Sequence, residues 1–186
     1  MGMPAQQSEW TAEMVRALPD DGNRYEVLDG ELFVTPAPSY RHQAVLARLY
    51  DLIRPYVERY SLGWTRWSPA DIEFSAKRVV QPDLFVVANE GTGEPRSWTD
   101  VRRLLLVIEA LSPTTARADR LKKRPIYQEQ RVSEYWIVDI DSRLVERWRP
   151  DDVRPEVIAD TLEWQPSREF APIRIALDEV FGPVGD

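Results

Sequence analysis

The sequence predicts one mixed α/β domain over residues 1–186, built as a mixed β-sheet flanked by helices. Two apolar runs, QPDLFVV at 81–87 and LLLVIEALSP at 104–113, have the length and composition of buried strands. The segment at 39–60 is long and amphipathic, as expected of a helix that packs against a sheet. The composition, 43% hydrophobic and 30% charged, fits a packed core, so layers of sheet and helix follow.

The elements before the first buried strand have local signals of their own. Residues 8–18 predict a short helix capped by Ser8 or Thr11. Two short alternating runs then surround Asp29-Gly30, a dipeptide suited to the type I′ turn of a β-hairpin. In the helix at 39–60, Ser39 is the expected N-cap, and Pro55 is expected to kink the last turns.

The elements after the helix at 39–60 are predicted in the same way. We expect one or two strands within 63–80, a loop at 89–100, and a helix-entry loop at 112–115. A basic helix interrupted by Pro125 should follow at 116–131. Two antiparallel strands are then expected at 133–141 and 142–150, an irregular proline-rich stretch at 150–172, and a last strand with a helical turn at 173–181.

Composition excludes several classes of function. The chain has no cysteine, so disulfides, thiolate zinc sites and cysteine nucleophiles are excluded. Neither a secretion signal nor an apolar run long enough to span a membrane is present, which predicts a cytoplasmic protein. The net charge of −7 argues against avid non-specific binding of nucleic acid, although it leaves room for a local basic surface.

Two carboxylates within apolar runs are the candidates for chemistry. Asp83 and Glu109 each belong to a predicted buried strand, where an unpaired carboxylate is costly unless it is paired or bound to a metal. Carboxylate oxygens suit Mg²⁺, which binds protein through one or two acids and keeps several waters. A lysine-bearing helix follows Glu109. This combination is what metal-assisted hydrolysis of a phosphodiester requires.

The same residues carry a family resemblance. Pro82-Asp83 and Glu109-Ala110-Leu111 resemble the core motif of the PD-(D/E)XK nuclease superfamily. A longer series of motifs is similar to the Uma-two family of restriction endonucleases over about residues 10–181. That series comprises RYEVLDGEL at 24–32, His42-Gln43, Pro82-Asp83, IEALSP at 108–113, Asp119, Lys123, Tyr127 and EYWIVD at 134–139.

The resemblance implies a restriction-endonuclease-like core and Mg²⁺-dependent cleavage of DNA, with Mn²⁺ as a substitute. It implies that Asp83 and Glu109 ligate the metal, with the Ala110 carbonyl as a third ligand and Glu31 as an added acid. The superfamily's lysine, two residues after the glutamate, is replaced here by Leu111. Its role would then fall to Lys123 on the following helix. A homodimer is also expected, because cutting two strands commonly uses two symmetric sites.

The sequence leaves several interpretations of individual residues, and of the function, open. Lys123 lies four residues after Asp119, a spacing that also gives an ordinary surface ion pair. His42 is either a structural residue or a substrate contact. Arg120 and Lys122 belong either to a solvated basic face or to a set of phosphate contacts, and Lys122 is the next candidate if Lys123 does not reach the acids. The alternative functions are a catalytically inactive nuclease-fold protein that binds nucleic acid or a protein partner, and an enzyme acting on RNA or on a nucleotide-like small molecule.

Overall fold

The computed structural model describes residues 9–112 and 115–183, and it confirms a mixed α/β fold. Ser8, the predicted alternative cap of the first helix, and the middle of the predicted loop at 112–115 lie outside the described residues. The helices are α1 Ala12–Arg16, α2 Tyr40–Arg59, α3 Ala116–Ala118, α4 Arg124–Glu129 and α5 Leu177–Phe181, with a π-helical turn at Asp119–Lys123 and a 3-10 turn at Trp98–Asp100. The strands are β1 Arg24–Leu28, β2 Glu31–Thr35, β3 Gly63–Trp67, β4 Ile72–Ser75, β5 Arg78–Val80, β6 Leu84–Ala88, β7 Leu104–Ala110, β8 Glu134–Asp139, β9 Leu144–Trp148, β10 Glu156–Ile158, β11 Thr161–Trp164 and β12 Ile173–Ala176.

The N-terminal hairpin forms as predicted. Asp29 and Gly30 both have positive φ, 53° and 81°, as a type I′ turn requires, and they connect the antiparallel strands β1 and β2. Together with β5 and β4, these strands form a four-stranded sheet in the order β2-β1-β5-β4. Before the hairpin, α1 begins after Thr11, whose side chain accepts a hydrogen bond from the Met14 N–H.

Helix α2 confirms the prediction of a long amphipathic helix capped by Ser39. Ser39 is its N-cap and accepts a hydrogen bond from the His42 N–H, and the helix continues through Pro55 to Arg59. One face of the helix is buried, and its residues follow three- and four-residue steps: His42, Val45, Leu49, Ile53 and Val57. The last four pack into a core with residues of β6, β7 and β8. His42 therefore enters the interior at the first turn of a helix whose other buried positions are apolar.

The main sheet brings the two predicted acids together. Its six strands have the order β10-β9-β8-β7-β6-β3. Strands β6 and β7 are antiparallel neighbours, and Leu84 at the start of β6 pairs with Ile108 near the end of β7. Asp83 immediately precedes Leu84, and Glu109 immediately follows Ile108, so the register alone places the two residues at the same end of the sheet.

The chain after β7 crosses over to β8, which is parallel to β7. The crossover contains α3, the π-helical turn and α4 in direct succession, so it stays helical where the sequence predicted an interruption at Pro125. Pro125 lies in the first turn of α4, directly after the π-helical turn, and the Arg124 Nε–H donates to the Arg120 carbonyl at 3.1 Å. The π-helical turn just before it buries Asp119 and Lys123.

One part of the sequence prediction was wrong. Residues 150–172 were expected to be irregular, but they contain β10, which extends the main sheet, and β11, which pairs with β12. In β11 the side chains of Leu162 and Trp164 are buried and those of Thr161 and Glu163 are exposed. This alternation is typical of a strand with one buried face, and the neighbouring prolines obscured it.

Candidate active site

Asp83 is held by donors from three other parts of the chain. Its Oδ2 accepts the Ala110 N–H at 2.9 Å and lies 3.1 Å from His42 Nε2, while its Oδ1 lies 2.5 Å from an Arg24 guanidinium nitrogen. The carboxylate is 3% exposed. These contacts fix Asp83 beside the residue that follows Glu109, and they bring β1 and α2 to the same point.

The ionisation of Asp83 follows from these partners. Burial by itself would raise the pKa of this carboxyl group, because it disfavours the charged form. The hydrogen bond and charge of His42 and the charge of Arg24 outweigh that effect and lower the pKa to about 2. Asp83 is therefore a carboxylate at any ordinary pH.

Lys123 reaches the acids. Its Nζ lies 3.0 Å from Glu109 Oε1, 2.9 Å from Glu26 Oε1 and 3.5 Å from Asp119 Oδ1. Each of these four side chains is at most 5% exposed. The ion pair with Asp119 that the sequence suggested is present, but it is buried inside the cluster and is shared with two further carboxylates.

Sharing one ammonium among three carboxylates shifts their ionisation. Burial outweighs the ammonium and raises the pKa of Glu109 well above its ordinary value, and the neighbouring acids add to this. The pKa of Asp119 is raised by burial as well. Burial would lower the pKa of Lys123, but Glu109, Glu26 and Asp119 outweigh it and raise that pKa well above its ordinary value. Lys123 therefore stays protonated.

Two tyrosines and a backbone amide fix the acids in place. The Tyr127 O–H donates to Glu109 Oε1 at 3.0 Å, and the Tyr135 O–H donates to the Asp119 carbonyl at 3.3 Å. On the other side, Glu26 Oε1 accepts the Gln81 N–H at 2.7 Å, so β1 is tied to the segment that leads into Asp83. Tyr127, one of the residues that carry the family resemblance, thus contacts the Glu109 carboxylate directly.

The charge of this cluster suits a divalent cation. Four buried carboxylates, Glu26, Asp83, Glu109 and Asp119, are accompanied by Lys123 and Arg24. With every carboxylate ionised, the four negative charges exceed the two positive charges of Lys123 and Arg24. Within residues 9–112 and 115–183, no three Asp, Glu or His side chains are grouped closely enough to ligate one ion. The residues fit a cation that takes one or two carboxylates and completes its shell with a carbonyl and water, as Mg²⁺ does.

Glu31 lies outside the buried cluster. It is 59% exposed and pairs with Lys122 Nζ at 3.0 Å on the surface. The acid that the N-terminal hairpin contributes is Glu26, which lies on the face of β1 that points inward. Glu31 is opposite Leu28 at the end of the hairpin, where solvent reaches its side chain.

The basic residues of the crossover are mostly engaged with other side chains. Arg120 contacts Glu146 at 2.6 Å and Asp139 at 3.6 Å, and Lys122 contacts Glu31. Arg124 covers the Trp148 ring, and Arg131 pairs with Asp151. Arg120 and Lys122 do not line the cleft at Asp83. Their geometry favours a solvated, ion-paired face over a set of phosphate contacts.

A cleft of about 860 Å³ leads to Asp83. Arg24, His42, Gln81 and Asp83 belong to its lining, together with side chains of α2 and β3. His42 is 6% exposed, and its Nε2 also lies 3.0 Å from the Ala110 carbonyl oxygen. The predicted contact residue His42 is thus beside two of the predicted metal ligands.

Sequence comparison places this geometry in a known family. Residues 12–178 match the Uma2 family, described as putative restriction endonuclease. The chain belongs to this family. The match covers the hairpin, helix α2, both acid-bearing strands and the crossover that carries Lys123, so every element that builds the candidate site lies within it.

A solved structure has the same fold as this Uma2 chain. The crystal structure of a putative nuclease belonging to DUF820 from Anabaena variabilis ATCC 29413 superposes with a TM-score of 0.73 at 17% sequence identity, over 92% of this chain and 97% of that chain. The search of curated proteins gave no match. Among the described residues, no helix is both long and apolar enough to cross a membrane.

Sequence reasoning missed two residues of the site, Arg24 and Glu26. Arg24, Glu26 and Leu28 alternate along β1, and Glu26 and Leu28 are both buried. In a strand with period two, a glutamate that shares a face with a leucine faces the interior. This alternation was a signal that Glu26 shares a face with Leu28, but it did not show that Glu26 is more deeply buried than Glu31, which lies on the same face.

Proposed function

We propose that this Uma2 chain is a divalent-metal-dependent endonuclease that hydrolyses phosphodiester bonds of DNA. The observation that carries the proposal is the convergence of Asp83, Glu109 and Lys123. Asp83 accepts the N–H of the residue after Glu109, and Lys123 lies 3.0 Å from Glu109. Two buried carboxylates beside a buried ammonium match the needs of phosphoryl transfer, which depends on positioning and on charge stabilisation.

Asp83, Glu109 and the Ala110 carbonyl would hold the metal, Mg²⁺ with Mn²⁺ as a substitute. When bound, the cation would polarise the phosphoryl oxygen and neutralise charge on the leaving oxygen. Its positive charge would also offset the excess negative charge of the buried carboxylates. The raised pKa of Glu109 is relevant here, because its carboxyl group would release its proton more readily beside a cation.

Lys123 would act as a fixed positive charge. Its pKa is raised, so the side chain has no free lone pair with which to accept a proton from water. As an ammonium it donates hydrogen bonds, and it would orient the attacking water and stabilise negative charge on the phosphate. Glu26 and Asp119 hold the ammonium from two sides, which keeps it at Glu109.

Arg24 would contact the phosphate. It lines the cleft, its guanidinium lies against Asp83, and its buried Nε has no hydrogen-bond partner among the residues that the structure describes. A guanidinium binds a phosphate through paired N–H groups, so one face of Arg24 can serve Asp83 and another the substrate. His42 lies next to the same carboxylate and would orient it.

The proposal is tested by cleavage of circular DNA. Supercoiled plasmid and circular single-stranded DNA are incubated with the protein and Mg²⁺ or Mn²⁺, and products are separated on a gel. We expect Asp83→Asn and Glu109→Gln each to lower the cleavage rate by at least about 100-fold, because each removes a proposed metal ligand.

Glu31→Gln is the matched control. It makes the same change in side chain as Glu109→Gln, but at a residue that is 59% exposed, and it should leave the rate within about twofold of the parent protein. Cleavage by Asp83→Asn and Glu109→Gln at the parental rate would refute the proposed site. Absence of cleavage by the parent protein on both circular substrates would refute the proposed activity.

A further inference from the structure

Access to the proposed catalytic residues is restricted. Asp83, Glu109 and Lys123 are 3%, 2% and 4% exposed. Of these three, Asp83 alone lines the cleft of about 860 Å³. A phosphate therefore reaches the site through this cleft. Its volume is in the range that holds a drug-sized ligand, which is enough for one or two nucleotides and too small for a stretch of double helix.

The wall of the cleft offers aromatic surfaces. Tyr50 of α2 and Trp67 of β3 meet edge to face, with ring centroids 4.9 Å apart, and both line the cleft. Trp67 is 56% exposed, although large aromatic side chains are usually well buried. Tyr25 of β1 lines the cleft as well. Exposed aromatic rings beside a nuclease site are the surfaces on which unpaired bases stack.

The charges of the cleft favour a base over a run of phosphates. Asp20, Asp51 and Asp71 belong to the lining. The basic lining residues are Arg16 and Arg24, and each is paired with an acid, Glu73 and Asp83 respectively. Binding of duplex DNA depends on neutralising many phosphates with free cations, which the described residues of the cleft do not supply. Stacking on aromatic rings requires no such cations.

We propose that the cleft binds a nucleotide of an unpaired DNA strand, with its base against Trp67 and Tyr50 and its phosphate towards Arg24 and Asp83. The substrate is then single-stranded DNA, or a strand splayed from a duplex, and continuous duplex is excluded from the site. This inference rests on the proposed nuclease function and specifies the form of its substrate.

Binding without cleavage tests the proposal. A fluorescein-labelled single-stranded oligonucleotide and the same oligonucleotide annealed to its complement are titrated with the full chain in EDTA, and fluorescence anisotropy gives both dissociation constants. We expect the single strand to bind at least tenfold more tightly. Trp67→Ala should weaken single-strand binding by roughly 5- to 150-fold, the range measured for loss of one stacked base.

Two further variants serve as controls. Trp98→Ala removes a tryptophan that is 38% exposed, packs against Phe85 and does not line the cleft, and it should leave the dissociation constant unchanged. Trp67→Phe retains an aromatic face and should retain most of the affinity. This variant distinguishes loss of stacking from a general disturbance of β3.

Equal or tighter binding of the duplex, an unchanged affinity in Trp67→Ala, or an equal loss in Trp98→Ala would overturn the inference. These outcomes are independent of the cleavage test. If Asp83-dependent cleavage occurs but the duplex binds as well as the single strand, this inference alone fails. If the single strand binds through Trp67 but no circular DNA is cut, the nuclease proposal fails and the assignment of the cleft stands.

Discussion

Replacement of Lys123 by methionine should reveal how far the buried acids depend on one ammonium. The Nζ lies 2.9 Å from Glu26 and 3.0 Å from Glu109, and at an effective dielectric constant of 20 each contact is worth about 5 kcal/mol of Coulomb energy. Desolvation of the ammonium offsets several kcal/mol of this attraction. Loss of one partner from a buried ion pair typically costs about 3–5 kcal/mol, and we expect Lys123→Met to lower the free energy of unfolding by that amount at pH 7.

The loss of unfolding free energy in Lys123→Met should depend on pH in a defined direction. The pKa values of Glu109 and Asp119 are already raised in the folded protein, and removal of the ammonium raises them further. An acid with a raised pKa contributes stability below the pKa of its unfolded state, and that contribution is lost as the pH rises through the folded-state pKa. The destabilisation by Lys123→Met should therefore be smaller at pH 5 than at pH 7.

Urea denaturation followed by tryptophan fluorescence measures the free energy of unfolding at pH 5 and at pH 7. Lys122→Met is the matched control, because Lys122 is 46% exposed and its pair with Glu31 should contribute no more than about 1 kcal/mol. Should Lys123→Met differ from the parent protein by less than about 1 kcal/mol at pH 7, or lose more stability at pH 5 than at pH 7, the description of a shared, buried ammonium would be incorrect.

Two other variants probe neighbouring contacts. The pKa of Asp83 is lowered from 3.8 to about 2, so this carboxylate contributes about 2–3 kcal/mol to the free energy of unfolding above pH 5. The difference in unfolding free energy between the parent protein and Asp83→Asn should therefore shrink by about half of that amount by pH 3. A difference that does not change with pH would contradict this prediction. Tyr127→Phe removes the O–H that donates to Glu109 and should lower the free energy of unfolding, measured by urea denaturation, by about 1–3 kcal/mol. Tyr40→Phe changes a side chain that is 89% exposed and should alter that free energy by less than about 0.5 kcal/mol. Equal effects of the two substitutions would refute the role of the Tyr127 hydroxyl.

Local signals in the sequence were sufficient wherever a short segment determines its own structure. The turn at Asp29-Gly30 and the Ser39 cap depend on one or two residues each, and both are present in the structure. The positions of Asp83 and Glu109 also followed from the sequence, because each lies at the end of a strongly apolar run. Segment 150–172 was misassigned because β10 and β11 are short and gain their stability from pairing with distant strands.

The choice between Glu26 and Glu31 could not be made from the hairpin alone. Glu26 pairs with Phe33, and Glu31 pairs with Leu28, so both glutamates lie on the same face of the hairpin. The two glutamates differ in how deeply their side chains are buried. Glu26 is covered by the crossover that carries Lys123, while Glu31 is at the open end. That difference depends on how a segment about a hundred residues away packs against the hairpin, and no local pattern encodes it.

Under the proposed function, Lys123 would take the place of the lysine that the superfamily motif has two residues after the glutamate. The strand position two residues after Glu109 is Leu111, whose side chain is partly buried and packs against an apolar cluster. The ammonium comes instead from a π-helical turn in the crossover, where Asp119 and Lys123 are both buried towards the sheet. Catalysis by charge depends on where the ammonium lies and not on which strand or helix supplies it. Lys123 Nζ lies 3.0 Å from Glu109 and is also held by Glu26 and Asp119, so in the proposed nuclease the crossover would supply the charge that the strand lacks.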